Sequence, residues 1–208
     1  TVLGVREQAS EAQQLTVIWP QRLTPNRCGA GLMKCIFILS LLMPFTYVNY
    51  SSKLLVESKR KYFKSLFENG HEIRLIDGVL DLIKHYKQNG ITLILASSAS
   101  MDNINMIFKK FGLDQYFKAK ISGADLKASK PHPEIFEKAA KLSGKLKKEC
   151  LVIEDATNGI IAAKSAGIFC VAFDGGLSKN QNYSKADLVI NEFETIYLEK
   201  LKSIKFQT

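Results

Sequence analysis

The chain has 208 residues, of which 46% are apolar and 24% charged, and its formal net charge is +9. The length suits one domain of ordinary size, or one with a small appendage, and the composition is that of a soluble globular protein. The excess lysines alternate with glutamates in segments such as 133–149 and 193–205, without an Arg-rich block or a nucleic-acid motif. Solvated helix faces therefore explain the charge better than a nucleic-acid partner.

Residues 1–32 show no clear periodicity, and we expect them to be poorly ordered or foreign to the fold. The apolar run that follows, MKCIFILSLLMPF at 33–45, resembles the hydrophobic part of a signal peptide. However, 32 residues precede the run, no A-x-A cleavage site follows it, and it is too short to span a membrane. We favour a buried strand, and we expect a cytoplasmic protein without a membrane partner.

From about residue 53 the pattern becomes regular. Amphipathic periodicity predicts helices, and short apolar runs predict strands. The predicted helices are 53–69, 78–89, 101–111, Pro133 to about Gly144, 158–166 and about 193–204, and the predicted strands are 91–97, 119–122, 151–153, 168–173 and 186–190. This alternation predicts an α/β fold with a mostly parallel sheet flanked by helices, in which ligands bind at the carboxyl ends of the strands.

The cysteines and histidines do not predict a metal site. The four cysteines, Cys28, Cys35, Cys150 and Cys170, form no CxxC pair, and three isolated histidines lack zinc-ligand spacing. Cys150 and Cys170 border or occupy predicted strands, where a free thiol behaves as a small apolar side chain. A reducing compartment fits this pattern.

Three serines follow the strand ITLILA. Ser97, Ser98 and Ser100 precede a helix that begins near Met101, so that hydroxyls and free backbone N–H groups are available for an anion. The alternative is simple N-capping by Ser100. The density of serines favours a phosphate site.

Lys130 precedes two prolines, Pro131 and Pro133, which restrict the backbone and aim the lysine. By itself it is better explained as one more surface lysine. Glu154 and Asp155 follow the third strand of the regular region. They suit either an acidic first turn of a helix or a Mg²⁺ site that shares a substrate phosphate.

Together these strand ends supply hydroxyls and a cation for an anion, and carboxylates for a metal, which is a set suited to phosphoryl transfer. The segments LILASSAS, ASKPHPEIF and LVIEDATNGIIAAKSAG resemble motifs II, III and IV of the haloacid dehalogenase (HAD) superfamily, in its β-phosphoglucomutase-like branch of phosphatases and phosphomutases. The resemblance covers roughly residues 55–200. It implies a HAD-like Rossmannoid three-layer sandwich, with a helical cap inserted after motif I.

The resemblance also implies roles for individual residues. Ser97 and the N–H of Ser98 would bind the transferring phosphate, Lys130 would bridge phosphate and nucleophile as a catalytic residue, and Glu154 and Asp155 would ligate Mg²⁺. The implied substrates are small phosphorylated metabolites such as sugar phosphates, and we expect a monomer.

Motif I, a D-x-D pair after the first strand, is missing. Aligned with the run at 33–42, its carboxylate positions fall on Ile38 and Ser40, or on Leu39 and Leu41. Asp77-Gly78 mimics the end of the motif, but Leu75 holds the nucleophile position, so that we interpret this segment as the start of a helix.

We therefore divide the chain into a non-family segment at 1–32, a remnant of the first strand at 33–50, a remnant of the helical cap at 51–70 and a HAD-like core at 71–208. Impaired catalysis has three explanations: a fragment or frameshifted product, a non-catalytic protein that binds phosphate or metal, or a different nucleophile. The patternless first 32 residues, which open with Thr rather than Met, favour the first explanation.

Overall fold

The structure is a computed structural model and describes residues 16–18, 24–25, 73–175 and 180–201. Contacts divide the chain into two compact units: Thr1–Arg22 with Asp77–Thr208, and Leu23–Ile76. The strand remnant predicted at 33–50 and the cap remnant predicted at 51–70 lie outside the described residues, as do Cys28 and Cys35.

The larger unit is built on a six-stranded sheet in which every neighbouring pair of strands is parallel. The two short strands of the smaller unit, β2 and β3, pair antiparallel. In chain order the strands are β1 (Thr16–Ile18), β2 (Thr24–Pro25), β3 (Ile73–Arg74), β4 (Thr92–Ser97), β5 (Phe117–Ser122), β6 (Leu151–Glu154), β7 (Phe169–Phe173) and β8 (Leu188–Ile190). The order in the sheet is β5-β4-β1-β6-β7-β8, and the predicted parallel α/β fold is confirmed.

The strand β1 was not predicted. It lies within residues 1–32, yet it pairs with β4 on one side (Val17 with Leu93) and with β6 on the other (Val17 with Leu151). A strand of three residues, followed at once by Trp19-Pro20, is too short for a periodic pattern to be recognised. The strand at the middle of this sheet is therefore Thr16–Ile18.

Four helices of the described residues agree closely with the predicted ones, and a fifth is shorter than predicted. They are α1 (Val79–Gln88), α2 (Met101–Phe111), α3 (Glu134–Ser143), α4 (Thr157–Ser165) and α5 (Leu198–Leu201). Gly112 and Gly144 end α2 and α3 in the left-handed conformation, which costs glycine little because it has no Cβ. In the described part of the chain, no helix is long and apolar enough to cross a membrane.

The closing helix predicted at about 193–204 is not continuous. A 3₁₀ turn over Phe193–Ile196 is followed by Tyr197 in an extended conformation, and only then by α5. The buried Tyr86 hydroxyl donates a hydrogen bond of 2.6 Å to the carbonyl of Ile196. This carbonyl is therefore engaged by α1, which fixes the break in a way that helical periodicity cannot reveal.

Cys150 and Cys170 are buried free thiols in the core between the sheet and the helices. Burial raises the pKa of the Cys150 thiol to about 12. Burial, together with the nearby Glu154 carboxylate, also raises the pKa of Cys170. Both thiols therefore stay protonated and behave as the small apolar side chains that the sequence predicts.

Candidate functional site

Ser97 ends β4 at the carboxyl edge of the sheet, and its side chain is buried. Its Oγ accepts a hydrogen bond of 3.2 Å from the Ala99 N–H. A hydroxyl also carries one donor hydrogen, which Ser97 can direct to an anion. Ser98, next in the chain, is exposed.

Ser100 occupies the N-cap position of α2, but its side chain makes no capping hydrogen bond. The alternative explanation of the serine cluster, side-chain capping by Ser100, is therefore not what the structure shows. The orphan N–H groups at the start of α2 are consequently not satisfied by that hydroxyl.

Ser122, which the sequence analysis did not single out, supports the Ser97 loop from the neighbouring strand. It pairs in register with Ser97, its Oγ donates a hydrogen bond of 3.0 Å to the Ala99 carbonyl, and it accepts one of 3.2 Å from the Ala124 N–H. Gly123 lies so close to the same loop that an added Cβ would stand 3.1 Å from the Ser97 carbonyl oxygen. The Ser-Gly pair at the end of β5 was the available sequence signal.

Lys130 is not a surface lysine. Its Nζ contacts Oε1 of Glu154 and lies 4.8 Å from the centroid of the Phe136 ring. The side chain is only 10% exposed, and that of Glu154 only 2%. Lys130 precedes α3 in the chain and Glu154 ends β6, so that the two predicted motifs meet at the carboxyl edge of the sheet.

The second oxygen of Glu154 is bound by its own turn. Oε2 accepts hydrogen bonds from the N–H groups of Asp155, at 3.0 Å, and Ala156, at 3.3 Å. Asp155 is also buried, at 9% exposure. Two adjacent carboxylates are thus held out of bulk water, one of them oriented by a cation and by backbone donors.

These residues are compatible with Mg²⁺, which prefers carboxylate oxygens and usually keeps several waters. Glu154 and Asp155 supply two such groups. Within the described residues, however, no group of three or more His, Cys, Asp or Glu side chains could hold a metal. A Mg²⁺ ion at these two carboxylates would need further ligands such as water.

Asp77 lies directly before the N-cap residue of α1. It is exposed, and Gly78, with a φ of 78°, is the N-cap residue of α1 and accepts the Leu82 N–H through its carbonyl. This agrees with the interpretation of Asp77-Gly78 as a helix start.

The nucleophile is missing after β1 as well. The chain continues from Ile18 as Trp19-Pro20-Gln21-Arg22, and the sequence contains no Asp or Glu between Glu11 and Glu57. Neither β1 nor the run at 33–42 is therefore followed by the carboxylate pair that the family pattern requires.

Solved structures with the same fold include CbbY from Rhodobacter sphaeroides in complex with phosphate, with a TM-score of 0.67 and 26% identity over 80% of this chain and 76% of that one. β-Phosphoglucomutase from Clostridium difficile gives a TM-score of 0.59 and 30% identity over 75% of this chain and 69% of that one.

Among curated proteins, β-phosphoglucomutase of Bacillus subtilis is 32% identical over 155 residues, which are 74% of this chain and 66% of that protein. The bifunctional riboflavin kinase/FMN phosphatase of Arabidopsis thaliana is 36% identical over 137 residues, which are 65% of this chain and 36% of that protein. The chain thus spans from about a third to two thirds of the length of these relatives.

The model of a protein family described as haloacid dehalogenase-like hydrolase matches residues 40–167, well over half of the chain. The structural neighbours and the curated relatives include the β-phosphoglucomutase and CbbY branch of that superfamily. The chain therefore belongs to the haloacid dehalogenase-like hydrolases, a family of phosphatases and phosphomutases.

Proposed function

We propose that this chain is by descent a Mg²⁺-dependent phosphohydrolase or phosphomutase for small phosphorylated metabolites such as sugar phosphates, and that its turnover is impaired. The names of its relatives, which include a phosphoglucomutase and an FMN phosphatase, support the substrate class. The complex of CbbY with phosphate supports an anion site in this fold. A monomeric, cytoplasmic protein remains our expectation.

In this proposal the phosphate lies between β4 and β6 at the carboxyl edge of the sheet. Ser97 donates its hydroxyl hydrogen, Ser98 donates its backbone N–H, and Lys130 contributes positive charge. The burial of Ser97 and Lys130 strengthens these interactions because a low local dielectric weakens screening.

Glu154 and Asp155 would hold the Mg²⁺, which supplies positive charge to the transferring phosphoryl group. The residues of the chain do the remaining work. Glu154 orients Lys130 through their ion pair, and the N–H groups of Asp155 and Ala156 fix the Glu154 carboxylate. Charge stabilisation and positioning are therefore supported, whereas a carboxylate to form the aspartyl-phosphate is absent from residues 12–56.

The observation that carries the proposal is the buried contact of Lys130 with Glu154, which joins two family motifs at one edge of the sheet. The alternative function is that of a non-catalytic phosphate- or metal-binding protein, or the product of a gene fragment. It is favoured by one specific observation, the lack of any Asp or Glu from residue 12 to residue 56.

Calorimetric titration with inorganic phosphate in the presence of Mg²⁺ tests phosphate binding, on which both functions depend. Ser97→Ala should weaken phosphate binding about 10-fold or more, because a hydrogen bond to a charged group contributes about 1.5–3 kcal/mol. Ser100→Ala is the matched control, since the Ser100 side chain makes no capping bond in the same loop. Equal affinities for the two variants, or no binding by the unaltered chain, would contradict the proposal.

A further inference from the structure

The N-terminus of α4 is capped by the side chain of Gln181, which the sequence analysis did not single out. Its N-cap residue, Ala156, has no side chain that could cap the helix. Instead, Oε1 of Gln181 accepts hydrogen bonds from the N–H of Thr157, at 2.8 Å, and from its hydroxyl, at 3.1 Å. The Thr157 Oγ1 in turn accepts the Asn182 N–H at 2.8 Å.

Gln181 lies between β7 and β8, in the stretch 180–187 that the structure describes. Glu154 pairs in register with Ala172, one residue before the end of β7. The segment is anchored on its other side, because Tyr183 packs partly buried against the core and the Asp187 N–H donates to the Cys170 carbonyl at 2.9 Å. Gln181 therefore contacts the turn from a stretch that is tied to the core on its C-terminal side.

We propose that Gln181 is a positioning residue that holds the turn Glu154-Asp155-Ala156 in its metal-binding geometry and thereby sets the affinity for Mg²⁺. This inference rests on the proposed function. Between the carboxylates and Thr157 there is only Ala156, so that a shift of the Thr157 N–H moves the Asp155 backbone directly. Replacing residues that orient metal ligands without binding the metal themselves commonly changes metal affinity about 10–100-fold.

The test uses the full chain with three variants. Gln181→Met keeps the length of the side chain but removes the acceptor, whereas Gln181→Glu keeps an acceptor oxygen at the same reach. Asn182→Ala is the matched control, because among the described residues the Asn182 side chain accepts a hydrogen bond only from the Ser184 N–H, within its own segment. Amide hydrogen exchange and calorimetric titration with MgCl₂ are measured for each.

Gln181→Met should lose protection at the Thr157 amide, while the amides of β6 keep theirs, and its Mg²⁺ affinity should fall about 10-fold. Gln181→Glu should retain protection of the Thr157 amide, because it keeps the acceptor oxygen. Asn182→Ala should leave both the amide protection and the Mg²⁺ affinity as in the unaltered chain. Unchanged protection in Gln181→Met, or an equal loss in Asn182→Ala, would overturn the inference.

Failure of the proposed function gives a different result. If the unaltered chain does not bind Mg²⁺, the metal site itself is refuted, and with it the effect of Gln181 on affinity. If the unaltered chain binds Mg²⁺ and Gln181→Met binds it equally well, only the role of Gln181 is refuted.

Discussion

Gly159 in α4 packs directly against the carboxylate of Glu154, and a Cβ added at Gly159 would overlap the carboxyl atoms. The glycine therefore lets the helix approach a carboxylate that Lys130 and two backbone N–H groups already hold in place. Gly159 matters because it has no side chain, and not because of its backbone conformation, which is not left-handed.

Gly159→Ala should accordingly destabilise the chain, although alanine is the better helix former. The helix propensity gains about 1 kcal/mol, but overpacking costs about 1–3 kcal/mol or more, and here the atom that must move belongs to a buried ion pair. Chemical denaturation measures the net change. The control is Asn158→Ala, which alters an exposed neighbour in the same helix and should stay within about 0.5 kcal/mol. A stabilised Gly159→Ala variant would contradict this packing.

The sequence predicted the strands and helices between residues 78 and 190 well, because short buried runs and amphipathic repeats are local signals. It did not predict β1, whose place in the sheet depends on pairing with β4 and β6 rather than on its own three residues. Nor did it predict the break at Tyr197, which depends on a hydrogen bond from Tyr86, 110 residues from its acceptor.

The residues of the candidate site divide in the same way, into those marked by a local sequence signal and those that depend on tertiary contacts. Ser97 and Glu154 can be recognised in the sequence because they end or directly follow predicted strands, and the structure places both at strand ends. Ser122 and Gln181 were missed because they act on other residues through hydrogen bonds between segments distant in sequence. The local sequence around Lys130 indicates only a surface lysine, because its burial against Glu154 is a tertiary property. Its predicted place in the site comes from the family resemblance.

Glu154→Gln should cost about 3–5 kcal/mol of unfolding free energy, as removal of one partner of a buried ion pair usually does. The carboxamide has one oxygen and one NH₂ group, whereas Glu154 receives donors at both oxygens. One donor must therefore face the NH₂ group. Urea denaturation measures the loss.

Glu137→Gln is the control, because Glu137 pairs with Lys147 where both side chains are 47% exposed. This substitution should cost less than about 1 kcal/mol. Equal losses would show that the burial of the Lys130 pair is energetically irrelevant.

Mg²⁺ should raise the melting temperature if Asp155 is a ligand. At a free concentration of about 100 Kd the stabilisation is about 2.7 kcal/mol, which corresponds to roughly 5–11 °C for a domain of this size. Asp155→Asn should abolish the increment, because the amide is a poorer ligand for a hard cation. Asp102→Asn, at an exposed position in α2, should retain it. The same rise in melting temperature in both variants would show that Asp155 is not a ligand and serves only as an acidic residue beside the first turn of the helix.

Alkaline pH should destabilise the chain through Cys150. Burial raises the pKa of this thiol from 9.0 to about 12 in the folded state. Above pH 9 the unfolded chain therefore binds fewer protons than the folded one, and stability falls as pH rises, by up to about 1.4 kcal/mol per pH unit from this group. Below pH 9 the contribution is fully present. Denaturation at pH 8 and pH 10 should show a smaller decline for Cys150→Ala than for the unaltered chain. An identical decline would refute the buried-thiol explanation.

The final prediction is that this chain turns over phosphate monoesters poorly or not at all. Ser97, Lys130 and the two carboxylates can position a phosphate and distribute its charge, but the sequence has no carboxylate between Glu11 and Glu57 to attack phosphorus. A second aspartate to protonate the leaving oxygen is missing as well, and general acid catalysis contributes roughly 10²–10⁴-fold.

The assay uses purified protein with an activated aryl phosphate and with sugar phosphates, with and without Mg²⁺. We expect turnover far below the ordinary enzyme range of about 1–10³ s⁻¹. Ser97→Ala serves as the control for contamination, because slow hydrolysis at this site should fall further in the variant, whereas a contaminating phosphatase would be unaffected. Mg²⁺-dependent turnover within the ordinary range, lost in Asp155→Asn, would mean that another residue acts as the nucleophile. Asp77, which precedes α1 and is exposed, would then be the first residue to replace.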